Sequence, residues 1–197
     1  MMMQFDLASL WAQALATVQD PRAGARRILA LNLPLNTAAL ALVIVALLTA
    51  LVAAVVSIMA ARMGVADVMG AQFSPLQWVG MQTLGLFLAA AVMAYVGRWF
   101  GGYGTLPQAI ALLAWAEFII LIVQIVQVML LVILPPLSAL LALVGLVLTF
   151  YLVSHFIAEM HGFSSAIKVF FGILATGFAL IMALAVLLAA VIGPMGV

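Results

Sequence analysis

Charge is what this chain has least of. Six Lys/Arg and five Asp/Glu occur among 197 residues, 6% of the total, while 70% are hydrophobic. None of those charges falls between Leu35 and Ala61, Val68 and Gly97, Phe118 and Ala158, or Val169 and Val197. A soluble domain of this composition would lack the polar surface that keeps it in water. Cysteine is absent altogether, which excludes disulfides, thiolate-held zinc, iron–sulfur clusters and thiol nucleophiles. With a net charge of +1 and no basic tract away from the apolar runs, neither nucleic acid nor a soluble acidic partner is expected. The chain also lacks paired carboxylates at depth, a Gly-x-Ser-x-Gly elbow and a His-Glu pair with a second helical His. No enzyme, cofactor or metal centre is expected.

What remains is a set of long apolar runs. About 20 apolar residues cross a bilayer as a helix, and only helices or closed barrels satisfy their backbone groups in lipid. Barrel strands would alternate apolar with polar residues; these runs are apolar all round. The fold expected is therefore all-α, a polytopic membrane bundle of five transmembrane helices preceded by amphipathic interfacial ones, with residues 1–33 before a five-span domain over 34–197. The first span is read over about 35–60, entered through Pro34 and Asn36 and closed by Arg62. Its Ala46, Ala50, Ala53, Ala54 and Ser57 form a small-residue seam along which another helix can approach closely. After a loop containing Gly64, Asp67, Gly70 and Ser74, the second span runs over about 76–96, with Trp78 and Trp99 at the two headgroup levels. The run from Phe118 to Ala158 is about twice the length one span needs, and Pro135-Pro136 divides it into spans over about 115–134 and 137–158. A short interfacial helix over 107–113 is expected before the third span. The fifth, over about 166–192, follows Ser164-Ser165 and carries a second seam of Gly172, Ala175, Thr176, Ala179, Ala183 and Ala190.

Five spans put the termini on opposite sides. With the N-terminus in the cytoplasm, Arg22, Arg26, Arg27, Arg98 and Lys168 lie inside and only Arg62 outside, the arrangement the positive-inside rule favours. Met1 to Leu15 has neither a basic n-region nor a long apolar h-region, so targeting is expected to fall to the first span rather than to a cleaved signal. On a helical projection Leu7, Leu10, Trp11, Ala14, Leu15 and Val18 share one face, and Asp6, Ser9, Gln13 and Asp20 the other. This segment is expected to lie on the cytoplasmic membrane surface. Asp20-Pro21 has the form of an N-cap followed by proline at the first helical position, opening a second short helix whose Arg22, Arg26 and Arg27 are expected at lipid headgroups, as a topogenic signal alone or, alternatively, in a specific lipid or protein contact.

Three glycines in four residues mark the connection between spans two and three, Gly101-Gly102-Tyr103-Gly104-Thr105-Leu106-Pro107-Gln108. Glycine permits a left-handed turn or close approach of another element. A phosphate loop would need a preceding strand and a following lysine, which the segment lacks, so it is read as a shaped re-entry to the membrane surface. This segment is similar to the glycine-rich stretch before the third span of the YIP-domain membrane proteins. His161-Gly162-Phe163-Ser164-Ser165-Ala166-Ile167-Lys168 resembles that family's short connector before the last span. Leu10-Trp11 with Asp20-Pro21 resembles the pre-membrane segment of its bacterial members. The resemblance covers nearly the whole chain and implies five spans, N-in and C-out, in a bacterial cytoplasmic membrane. The acidic-tyrosine-glycine-proline motif of eukaryotic members has no counterpart here, so the resemblance does not extend to Rab binding.

The remaining candidates are scattered polar residues. Glu117, Gln124 and Gln127 give the third span a partly polar face; Glu117 is expected near the start of that span, paired to Arg98 or Lys168. His155 and Glu159 share a helix face, with His161 and Lys168 following. A metal site is not expected, because His161 would point away from the pair. Interfacial anchoring and a Glu159–Lys168 contact are expected instead. The candidate functional surface is thus Arg22, Arg26, Arg27, Arg98, Gly101, Gly102, Gly104, Glu117, Gln124, Glu159, His161 and Lys168. The function expected is non-enzymatic organisation of membrane or of a membrane complex, with the lipid bilayer and other membrane proteins or a second copy as partners. The alternative is a small-molecule, ion or lipid transporter or channel subunit using Glu117, Gln124 and Gln127.

Overall fold

The computed structural model describes residues 7–62 and 75–192. The loop residues Gly64, Asp67, Gly70 and Ser74, and Asp6 of the first segment, lie outside the described residues. Seven helices follow in order: α1 (Leu7–Gln19), α2 (Pro21–Ala30), α3 (Leu35–Arg62), α4 (Pro75–Trp99), α5 (Leu106–Ile133), α6 (Pro135–His161) and α7 (Ala166–Ile192). No strand occurs among the described residues, and α3 to α7 are each long and apolar enough to cross a membrane. The all-α, five-span expectation holds.

Local chemistry explains most boundaries. The Asp20 carboxylate accepts the Ala23 N–H at 2.9 Å, and Pro21 occupies the first position of α2, where an N–H would have no helical partner anyway. Leu134 separates α5 from α6 with φ −149° and ψ 78°. Proline disfavours the helical region for the residue before it, so α5 ends at Leu134 and Pro135-Pro136 open α6 in its first turn. At the other connection, Gln108 Oε1 accepts the Thr105 N–H at 2.9 Å and Pro107 stands in the first turn.

One expected element is absent. Residues 107–113 are not a separate interfacial helix but the first two turns of an unbroken α5. The first turn is where proline is tolerated, and nothing after it interrupts the helix. Buried Ala109, Ala111, Ala114 and Ala116 alternate there with Ile110, Leu112 and Leu113, so neighbours approach α5 closely on every side.

Packing is concentrated at one end. α5 is central, packed on α3, α4 and α6, while α2 sits across α5 and α6. The core joins Ala14 of α1, Ala25 of α2, Ala38 and Leu42 of α3, Ala90, Met93 and Ala94 of α4, the first half of α5, and Leu152, Phe156, Ile157 and Met160 of α6. All of these lie toward the end that carries the α4–α5 turn and the α6–α7 corner. α7 packs chiefly on α6, and none of its residues from 166 to 190 is buried. The two small-residue seams therefore differ. That of α3 is used, with Ala46 and Ala50 buried, whereas Ala175, Ala179, Ala183 and Ala190 of α7 are exposed.

α1 does not rest on the bundle through its whole apolar face. Ala14 and Thr17 are buried, and Thr17 Oγ1 accepts the Trp115 indole N–H at 3.2 Å. Trp11 and Leu15 stay about half exposed. Gly24 of α2 passes so close to Thr17 that an added Cβ would overlap its side chain.

Candidate functional site at the arginine-rich end

His161 organises this end. It is the last residue of α6 and 1% exposed. The Gly104 N–H donates to Nδ1 at 3.0 Å, so the proton resides on Nε2, which donates to the Met93 carbonyl at 2.9 Å. One imidazole thus joins α6 to α4 and to the α4–α5 turn, with both ring nitrogens satisfied. Phe163 stacks on its face with ring centroids 5.4 Å apart and 18° between planes. Gly162 makes that possible. It takes the left-handed conformation, φ 74°, and the Phe163 N–H reaches back to the Ala158 carbonyl at 2.7 Å, closing α6 and turning Phe163 over the ring.

The ring lies against three glycines. An added Cβ on Gly97, Gly102 or Gly104 would overlap His161. The sequence allowed these glycines a left-handed turn or close approach of another element; in this turn only Gly101 has positive φ, at 85°. The other two are needed for space. His161 and Gly104 are accordingly interior, not part of an exposed surface as expected. Gly97 and the Met93 carbonyl escaped the sequence reading entirely. The available signal was a glycine-rich turn in a chain with a histidine beside another glycine, and periodicity does not report such a pairing.

The arginines divide the same way. One Arg22 nitrogen donates to the carbonyls of Phe163 at 3.2 Å and Ser164 at 2.9 Å, and Arg26 pairs with Glu159 at 3.3 Å. These bonds hold α2 across the α6–α7 corner, each through one guanidinium nitrogen. The expected Glu159–Lys168 contact is replaced by the Arg26 pair. Arg27 and Arg98 are exposed. Arg22→Ala is expected to lower stability by about 1–3 kcal/mol, because two carbonyls lose a charged donor, and Arg27→Ala by less than about 0.5 kcal/mol. Unfolding of both variants in mixed micelles checks this; equal losses would refute the clamp.

The polar residues of α5 do not form one stripe around a cavity. Gln124 Oε1 is buried without a hydrogen-bond partner, and the Gln127 backbone carbonyl accepts the Ser138 hydroxyl at 3.2 Å. Glu117 instead lines an open groove of ≈ 730 Å³ between α4 and α7, floored by α5 and α6. Neither glutamine lines it. The groove is otherwise largely apolar, with Val92 and Ile173 on its walls, Val153 in its floor, and Ser164, Ser165 and Lys168 at the arginine-rich end. Glu117 lies 11 residues into α5, not at its start, and makes no salt bridge with Arg98 or Lys168. His155 is turned back on its own helix, stacked on Tyr151 with Nδ1 on that residue's carbonyl at 2.8 Å. No cluster of metal-ligating side chains occurs among the described residues.

Comparison with known proteins gives one match. The family model described as the Yip1 domain matches residues 15–188, from the middle of α1 nearly to the end of α7. No curated protein and no solved structure matches.

Proposed function

We propose, from the premise that this chain belongs to the Yip1 domain family, that it is a non-enzymatic organiser of membrane or of a membrane protein complex. In this reading the N-terminus and the α4–α5 turn face the cytoplasm of a bacterial cell, and the C-terminus lies outside. The observation that carries the reading is α7. This helix contributes no buried residue to the bundle between positions 166 and 190, and Phe171, Phe178, Ile181 and Val186 project from it. In lipid no hydrophobic force holds such a helix to its neighbours; packing and small-residue seams do. A helix that leaves Ala175, Ala179, Ala183 and Ala190 of its seam exposed within its own chain suits association with another membrane protein.

Photocrosslinking in native membranes tests this. A photoreactive residue at Phe178 or Ile181 is expected to give discrete protein adducts, while one at Leu140, on the exposed face of α6, gives none. Lipid adducts alone at all three positions would overturn the organiser reading. The orientation has a separate test: a reporter active only in the cytoplasm should work when fused at Met1 and fail when fused after Val197, and the reverse pattern refutes N-in, C-out.

A further inference from the structure

The walls of the α4–α7 groove are two helical stripes that face a gap. Gly85, Ala89 and Val92 line it from α4, and Val169, Ile173 and Thr176 from α7, each set at the three- and four-residue spacing of one helix face. α4 packs on α3, α5 and α6, and α7 on α6, so no helix among the described residues fills the space between the stripes. A Cβ added to Gly85 or Gly172 would meet nothing within 4 Å, which leaves the backbone of both walls open to close approach. In the floor stands Glu117, which makes no hydrogen bond or ion pair among the described residues. Lys168, exposed in the first turn of α7, forms no ion pair with it.

We infer that this groove receives a transmembrane helix of another protein that carries a lysine or arginine at the depth of Glu117. Depth selects the occupant. α5 has 28 residues, about 42 Å at about 1.5 Å per residue, and Glu117 stands about 16 Å from its start. The hydrocarbon of a bilayer is about 30 Å thick, so wherever that slab falls along α5, Glu117 is inside it by at least about 4 Å. A carboxylate there is costly unless it pairs, and its cation must be carried to the same depth. Phospholipid headgroups hold their cations outside the hydrocarbon, and sterols and fatty acids have none. A second copy of this chain does not supply one either, since its long apolar runs are uncharged and its cations stand at their ends. A basic residue within a spanning helix reaches Glu117, and the stripes on α4 and α7 give that helix its packing. This partner class goes beyond the organiser reading, which rests on the outer face of α7.

The test supplies the helix. A synthetic leucine-rich spanning peptide with Lys, Gln or Leu at one position near its centre is reconstituted with the full chain in phosphatidylcholine vesicles. Association is read by Förster transfer between labels on peptide and protein. The Lys peptide is expected to associate about tenfold more tightly than the Gln or Leu peptide. Glu117→Gln should abolish that preference. A photoreactive residue at Thr176, in the groove, should crosslink to the Lys peptide, and one at Leu140 should not. If Glu117→Gln does not fold, the parent's ranking of the three peptides and the Thr176 adduct decide. Equal association of the three peptides with the parent, a Lys preference that survives in Glu117→Gln, or Lys-peptide adducts from Leu140 and not from Thr176 would each overturn the assignment. The organiser reading fails separately, by the absence of protein adducts from Phe178 and Ile181 on the outer face of α7.

Discussion

His161→Ala is expected to destabilise the protein by about 3–5 kcal/mol, the sum of a cavity at a fully packed site and of a buried Gly104 N–H left without an acceptor. The loss should be coupled to the glycines around the ring. Gly97 lies inside α4 and does not have positive φ, so Gly97→Ala is conformationally permitted, and its expected cost of about 1–3 kcal/mol comes from overlap with atoms of the imidazole ring. His161→Ala removes those atoms. In the His161→Ala background the same Gly97→Ala change should cost little, an interaction energy of about 1–3 kcal/mol between the two positions. Gly101 supplies the contrast, with φ 85° and open space around it. Gly101→Ala should cost about 1–2 kcal/mol from backbone strain, equally in both backgrounds. Reversible unfolding of the five single and double variants in mixed micelles gives all these numbers. A Gly97→Ala cost that does not change when the imidazole is removed would show that the glycine serves something other than the ring.

Phe156→Ala is the second large effect, expected at about 3–5 kcal/mol. Phe156 is 0% exposed in the middle of the one-ended core. In a bilayer the transfer contribution is weak, because lipid tails are as apolar as the protein interior, and the loss comes from packing contacts that alanine cannot make. Phe178 of α7 is chemically the same residue at 68% exposure. It exchanges protein for lipid with little change in contacts, and Phe178→Ala should fall within about 0.5 kcal/mol. Comparable losses from the two substitutions would mean that α7 is integral to the core, and the one-ended packing would be wrong.

The residues that bear on function were only partly legible in the sequence. Glu117 stands out from any hydropathy reading because a carboxyl inside an apolar run is costly. Its grouping with Gln124 and Gln127 followed from helical spacing on α5, yet a groove is made by several helices, and only Glu117 faces the one between α4 and α7. Arg22 and Arg26 were read as a basic surface, since charge in sequence has no partner until distant segments meet. The carbonyls of Phe163 and Ser164 lie more than 140 residues away from Arg22. His161 was read as an anchor at the interface for the same reason: both groups that bond it are backbone atoms of other elements, which leave no trace in residue type.

The amino-acid sequence by itself determined the solvent, the number of spans and the places where the chain turns. Those properties rest on local chemistry: the length of an uncharged run, a proline pair that no helix interior accommodates, an Asp-Pro cap, a glycine at a helix end. The tertiary structure decided where the core lies, which glycines make room rather than bend the backbone, which small-residue seam is occupied and which charges stand unpaired in the same groove. Each of these depends on the approach of segments far apart in the chain. In a protein whose helices are apolar on every face, hydrophobic patterning carries almost no information about which faces meet.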